Sequence, residues 1–299
     1  MRRLRHTNRI SWTTIALLAT LVCGCATWTD RATGVLDAVA LKDATSGTNP
    51  LPVLTESGKN IVLNVEFVPI EVEETTADDI QSLWQWTDET VIEPGARREL
   101  TANGLRVGRV LRSERLMQRL KQMRSADGVL DQFLSQADIA SEVSHGGQRI
   151  PMRIGRRYEL PVRQPIEGSH VSMARVNGEL FGRTLQDPQF LFAVTASAGS
   201  TSGEISLRLR PEIQHGSMRQ RWVSSDTALR IDTRRETWSL EDLDLNLTGV
   251  EGDTFLIGNT MPRLGLGKQM LSGHRSDNSR HQAVILITLT QIPTAADRL

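Results

Sequence analysis

The sequence predicts an α+β chain, with a small mixed α/β domain over residues 61–144 followed by a β-rich antiparallel domain over residues 145–293. Three observations carry that expectation. Ile61, Leu63, Val65 and Phe67 alternate with Val62, Asn64, Glu66 and Val68, the period-2 signature of a strand, before the apolar spacing turns helical. After His145-Gly146-Gly147 short alternating runs follow one another between turn formers. Among these, Asn177-Gly178 is a strong hairpin signal, because both central positions of that turn need positive φ.

The first 24 residues have a different character. Arg2, Arg3, Arg5, His6 and Arg9 form a basic head without an acid, and an apolar run from Ile15 to Val22 ends in Val22-Cys23-Gly24-Cys25. Charged, then apolar, then small is the layout of a secretory signal, and the run is short of the roughly 20 residues a spanning helix needs. Val22 to Cys25 resembles a bacterial lipobox. The resemblance implies cleavage between Gly24 and Cys25, a diacylglyceryl group on the Cys25 thiol and an acylated new N-terminus, so that membrane lipid is a partner through Cys25. Several acyl chains on one residue anchor firmly where a single chain is marginal. Cys23 stands where alanine or serine is commoner, and Ala26, rather than aspartate, implies the outer membrane over the inner.

Residues 25–60 are rich in Thr, Ala, Gly, Asp and Ser and read as a tether, with a short helix through Val35, Leu36, Val39 and Leu41. The strand from Ile61 carries Pro69, which predicts an edge or a bulge there. Ile80, Leu83 and Trp84 fall at helical spacing, Thr76 being a candidate cap. A second helix runs from Pro94 to Asn103-Gly104. Leu105, Val107 and Val110 read as a strand. Leu116, Leu120 and Met123 give an amphipathic helix with Arg112, Arg115, Arg119 and Lys121 largely outside, and Val129 to Leu134 a further helical piece.

In the second half, Ile150, Met152 and Ile154 alternate, as do Tyr158 and Leu160. Val171–Val176 and Glu179–Leu185 flank Asn177-Gly178, and Gln189–Ala196 pairs with Glu204–Ile213 across the turn at Gly199–Gly203. Arg219–Ile231 and Thr237–Leu247 are read as two further strands. Gly252-Asp253 precedes an apolar strand ending at Gly258, and residues 294–299 form a tail after the last strand, Val284 to Ile292. The order of Leu207, Leu209, Pro211 and Ile213, then Gly252, Asp253 and Leu256 to Gly258, then Leu264 to Gly267, then Val284 to Ile292 resembles the end of the secretin β-domain, over residues 204–293. That resemblance implies a closing antiparallel sheet with a glycine-bearing lip at Leu264–Gly267. Asn259 departs from the usual second glycine, and ring-forming modules ahead of the domain are not recognisable.

Composition bounds the function classes. Lys+Arg and Asp+Glu balance at 35 each, but the signal takes Arg2, Arg3, Arg5 and Arg9 with it, leaving a net charge of about −4, which argues against nucleic acid as partner. Both cysteines lie at the signal, so no disulfide or cysteine-rich metal site holds the fold. Asp78-Asp79 and Asp242-Asp244 read as a helix N-terminus and a solvated strand face before they read as catalytic pairs. His274, Asp277 and His281 share a polar loop without a metal-site spacing. Gly199-Ser200-Thr201-Ser202-Gly203 joins two strands where a nucleophile elbow needs a helix, and Gly265-Leu266-Gly267-Lys268 lacks the rest of a phosphate loop. Trp84 and Trp86 stand two apart on a predicted helix and so cannot share a face, and Trp222 and Trp238 read as core or sheet-face residues. Arg109, Arg112, Arg115, Arg119 and Arg124 read as a solvated helix face or a lipid-headgroup contact.

The expectation is therefore a non-enzymatic, lipid-anchored envelope protein without a cofactor, which binds another envelope protein or copies of itself. The rival is a secreted hydrolase or carbohydrate-binding module that draws on Asp226, Asp232, Glu236, His215 and the tryptophans beside them.

Overall fold

The computed structural model describes residues 60–71, 77–123, 144, 146–224, 229–274 and 280–292. Leu54–Leu299 make one compact unit; the other, Met1–Val53, lies outside the described residues, as do the expected signal, most of the tether, the helical piece at Val129–Leu134 and the tail. The strands are β1 (Asn60–Glu71), β2 (Thr87–Asp88), β3 (Leu105–Val110), β4 (Gly146–Arg153), β5 (Arg157–Pro161), β6 (Ser169–Val176) and β7 (Glu179–Gln186). They continue with β8 (Gln189–Ala198), β9 (Ile205–Ser224), β10 (Leu229–Ser239), β11 (Leu245–Gly249), β12 (Thr254–Asn259), β13 (Ser272–His274) and β14 (Arg280–Gln291). Among the described residues four short α-helices join them: α1 (Ala77–Ser82), α2 (Pro94–Ala102), α3 (Ser113–Met123) and α4 (Gly265–Leu271).

Among the described residues the chain is mostly antiparallel β-sheet with a few helices. The expected division at residue 144 does not divide the sheets. A seven-stranded sheet in the order β2-β3-β12-β14-β1-β4, with β13 also on β14, draws strands from both sides of that position. Its centre is β14, where Val284 to Leu289 form an unbroken apolar run, because that strand is covered on both faces. Ala283, Ile285, Ile287 and Leu289 join Ile61, Leu63, Val65 and Phe67 in the larger core; Val284 and Leu286 join Val68 and Ile70 in a smaller one under α1 and α3. A five-stranded sheet, β10-β9-β8-β5 with β11 also on β9, supplies Leu160, Phe190, Phe192, Leu207 and Leu245 to the same larger core. The layers are thus helices, seven strands and five strands.

Several expectations hold in detail. The α2 helix has Pro94 at its first turn and is followed by Gly104 at φ 79°, and α3 buries Leu116 and Leu120. Asn177 and Gly178 turn β6 into β7 with φ of 51° and 84°. Pro69 lies opposite Ala283 of β14, beyond Phe67, the last β1 residue that β4 covers, so its missing N–H falls where β1 is locally an edge among the described residues.

Others are corrected. Arg219–Ile231 is not one strand: β9 ends at Ser224 and β10 begins at Leu229, a reversal that the turn formers Ser224-Ser225-Asp226 mark in the sequence. Thr237–Leu247 is likewise broken, by a 3₁₀ turn at Glu241–Leu243, because β10 and β11 pair in succession along one edge of β9. Leu264–Gly267 is not an extended lip. Gly265 opens α4, whose Leu266, Met270 and Leu271 are buried at helical spacing. The helix over Ala77–Trp86 changes to 3₁₀ at Leu83, so the α-helical face argument lapses, and Trp84 and Trp86 both pack on the smaller core.

Candidate interaction surface

Two ribbons stand out from the sandwich, and both have a sequence cause. On one edge of β9, β11 pairs as far as Leu209 and β10 from Glu212 onward; on the other, β8 ends its pairing at Gln214 opposite Gln189. Past Gln214, β9 keeps only β10 beside it among the described residues, and about ten residues at 3.3 Å each carry this ribbon some ~30 Å further. Its base is fixed by a bulge between Arg234 and Glu236. Arg235, the bulged residue, donates Nε–H to the Gly216 carbonyl at 2.9 Å and a second N–H to the carbonyl of Asp187 in the β7–β8 turn. Gly216 itself has φ of 71°.

Beyond that base the register sets Trp222 opposite Ile231 and Gln220 opposite Thr233, so that Met218, Trp222 and Ile231 share one face. They are 67%, 65% and 52% exposed, in a chain whose other described tryptophans are buried or half-buried. The opposite face is polar: Arg234 Nε lies 2.7 Å from Asp232, and Arg219 pairs with Glu236, whose other oxygen is 3.9 Å from His215 Nδ1. A cross-strand Trp–Ile pair held out in water is costly unless something covers it.

The second ribbon, β6–β7, is docked by two amides. Asn103, 1% exposed at the end of α2, donates Nδ2–H to the carbonyls of Glu99 (2.8 Å) and Arg175 (2.6 Å) and accepts from Arg175 N–H at 2.7 Å. Gln269 of α4 accepts from Met173 N–H at 3.3 Å and donates to the Val171 carbonyl at 3.2 Å. The two side chains thereby act as a surrogate strand along the edge of β6. The inner face buries Ser172, Ala174 and Leu185 and sets Arg183 4.7 Å over the Trp238 ring; the outer face exposes Val171, Met173 and Leu180.

The predicted site residues are dispersed. Gly24, Cys25, Asp226, Asp277 and Arg124 lie outside the described residues, as does the side chain of Asp78. Asp79 pairs with Arg119. Asp244 is no solvated strand residue: it follows the 3₁₀ turn and accepts from Nε–H and one terminal N–H of Arg210, both at 2.8 Å, bonds that raise the guanidinium's already high pKa. Asp242 is exposed on that turn. His274 and His281 come onto adjacent strands, with His281 opposite Gly273, but His274 is exposed and His281 buried. Among the described residues no three His, Cys, Asp or Glu side chains gather as a metal site would require. Asp232 and Glu236 lie along one ribbon, each paired with an arginine, and line neither of two open grooves.

Of those grooves, one of about 220 Å³ lies between α3 and the outer face of the seven-stranded sheet, with Glu66 and Thr288 among its lining. The other, about 350 Å³, lies at the β4–β5 turn between Arg153, Arg156, Arg157 and Tyr158. Arg157 is held by Glu159 at 2.6 Å and by Glu212. Burial pushes the Glu159 carboxyl upward, but hydrogen bonds from Gln214 and Arg157 outweigh it and hold the group below 4.5. Turn residues at Gly199–Gly203 are bound by Glu204, which accepts from the N–H and hydroxyl groups of Ser200 and Thr201. That stretch is a turn between β8 and β9.

No protein-family model, curated protein or solved structure matches the chain.

Proposed function

We propose that the chain is a membrane-anchored bacterial envelope lipoprotein with a non-enzymatic, structural or protein-interaction role, of the kind found in secretin-type assemblies. The anchor is Cys25, by the lipobox resemblance, and the outer membrane is its site. One observation carries the interaction role: the β9–β10 ribbon holds Met218, Trp222 and Ile231 out on one face, where a large aromatic residue is the commonest anchor of a protein interface. Support for the secretin relation is narrower. Leu207 and Leu209 on β9, β12 and β14 follow the expected order as antiparallel strands, whereas α4 and Asn259 depart from it.

The test is crosslinking in intact cells from a photoreactive residue placed at Met218, followed by identification of the adduct. An adduct with an envelope protein or a second copy, lost in Trp222→Ala/Ile231→Ala at unchanged thermal stability, is the expected result. A chain that stays monomeric and yields no adduct would overturn the proposal. Cys25→Ala separately tests the anchor by release from the membrane fraction.

A further inference from the structure

The β4–β5 corner has a chemistry distinct from the ribbons. Ile154, 38% exposed, stands at the turn between Arg153 and Arg156, both exposed, and Arg149 lies exposed on the same face of β4 as Arg153. Among the described residues no ion pair joins Arg149, Arg153 or Arg156 to a carboxylate. The nearby acids Glu159 and Glu212 are both engaged by Arg157. The corner therefore combines uncompensated guanidinium groups, an apolar tip, a tyrosine and a groove of about 350 Å³, in a chain whose net charge without residues 1–24 is about −4. Tyr158 is 36% exposed at the groove.

The position of this corner matters as much as its composition. Arg153 pairs with Asn60, the first residue of β1, so the corner lies beside the start of the described fold. Pro151 and the charged neighbours also keep the β4 edge from pairing with another strand. That role accounts for Arg149 and Pro151 but not for Ile154, Arg156 and the groove beyond the strand's end.

We infer that the β4–β5 corner is a docking surface for an anionic lipid bilayer, with Arg153 and Arg156 taking headgroup phosphates in the groove and Ile154 entering the interface. For its setting, though not for its chemistry, the inference rests on the acylation of Cys25. Acylation of Cys25, only 35 residues ahead of Asn60 in the chain, would hold the corner near the anchoring surface and raise its effective concentration there. A weak contact then suffices. Each guanidinium near an anionic surface contributes roughly a five-fold gain in partition, so reversing two charges removes roughly a hundred-fold or more.

Cosedimentation of a chain lacking residues 1–25 with vesicles is the direct test, since Leu54–Leu299 form a compact unit without them. Binding to phosphatidylcholine vesicles containing phosphatidylglycerol, absent with phosphatidylcholine alone and weakened by salt, is expected. Arg153→Glu/Arg156→Glu should abolish it without a change in thermal midpoint, and Ile154→Asp should weaken it. Equal binding to neutral vesicles, or undiminished binding by the arginine variant, would overturn the inference. Because this chain has no Cys25, failure here leaves the anchor untouched; conversely, Cys25→Ala remaining membrane-bound in cells would refute the anchor and not the corner.

Discussion

Replacing Asn103 tests how the β6–β7 ribbon is held. The side chain is 1% exposed and makes three hydrogen bonds of 2.6–2.8 Å to backbone groups of Glu99 and Arg175. Asn103→Ala removes all three and strands the N–H and C=O of Arg175 on a strand edge with no other described partner. At about 1 kcal/mol for each bond the cost is about 3 kcal/mol. For a chain of this size that lowers the thermal midpoint by roughly 6–12 °C. Gln269→Ala removes two longer, more exposed bonds and should cost about 1 kcal/mol. Asn103→Asp sharpens the reasoning: the remaining oxygen still accepts from Arg175 N–H, but both donors are lost and a buried carboxylate faces two carbonyls. It should be at least as destabilised as Asn103→Ala at neutral pH, and partly recover in acid as the protonated carboxyl regains one donor. Thermal unfolding gives the midpoint, and amide exchange locates the effect. Protection at residues 169–176 should fall in Asn103→Ala while that of β14 persists below the global transition. A midpoint shift under 2 °C, or uniform loss of protection, would refute the clamp.

Two further outcomes follow from particular contacts. A Cβ on Gly267 would lie 2.2 Å from the Gly104 carbonyl oxygen and 2.9 Å from Asn259 Oδ1, so Gly267→Ala must push α4 off the end of α2 and should cost upwards of ~3 kcal/mol. On Gly182 it would meet only Met173 Cγ at 3.8 Å, and Gly182→Ala should be neutral or slightly stabilising; circular-dichroism melts of the two variants check the contrast. The pKa of Glu159 is depressed in the folded chain, so its contribution to stability is complete above about 4.5 and is lost as pH falls through the folded value. Midpoints measured from pH 6 downward should therefore show the difference between the native chain and Glu159→Gln shrinking below pH 4.5, and parallel curves would contradict this.

How much of this was legible in the sequence depended on the range of the forces involved. Local backbone chemistry was readable: Asn177-Gly178, Pro94 and Gly104 mark their turns and caps because their φ preferences act within a few residues. Pairing was not. Nothing in Ile61–Phe67 says that its partner is Val284–Leu289, more than two hundred residues on, and that pairing is why strands on either side of residue 144 share a sheet. The resemblance implies a glycine-bearing lip at Leu264–Gly267, whereas α4 keeps Gly267 for close approach to Gly104, a reason visible only in three dimensions. Asn103 was read solely as a helix stop, although its amide also docks a hairpin seventy-two residues away in the chain. The same limit applies to the interaction surface. Trp222 was expected as core or sheet face, and only the end of β8 pairing at Gln189 decides that its part of β9 stands clear of the sandwich.

The two surfaces lie at opposite ends of the same strands. Arg157 of β5 pairs with Thr195 of β8, and Thr195 with Arg208 near the start of β9. The β4–β5 corner and the chain entry at Asn60 are thus beside the beginning of β9, while Trp222 is near its other end. From Arg208, beside the corner, to Trp222 the strand runs fourteen residues, about 46 Å at 3.3 Å per residue. A surface charge is screened within about 8–10 Å, so a headgroup contact at Arg153 and Arg156 exerts no pull on the ribbon. With the corner on a bilayer, Trp222 and Ile231 lie well beyond the screening distance of its headgroups along β9, so the two proposed contacts use different parts of the fold. The lipid contact and the protein contact therefore need not compete for one face of the molecule, and the length of β9 is what separates them.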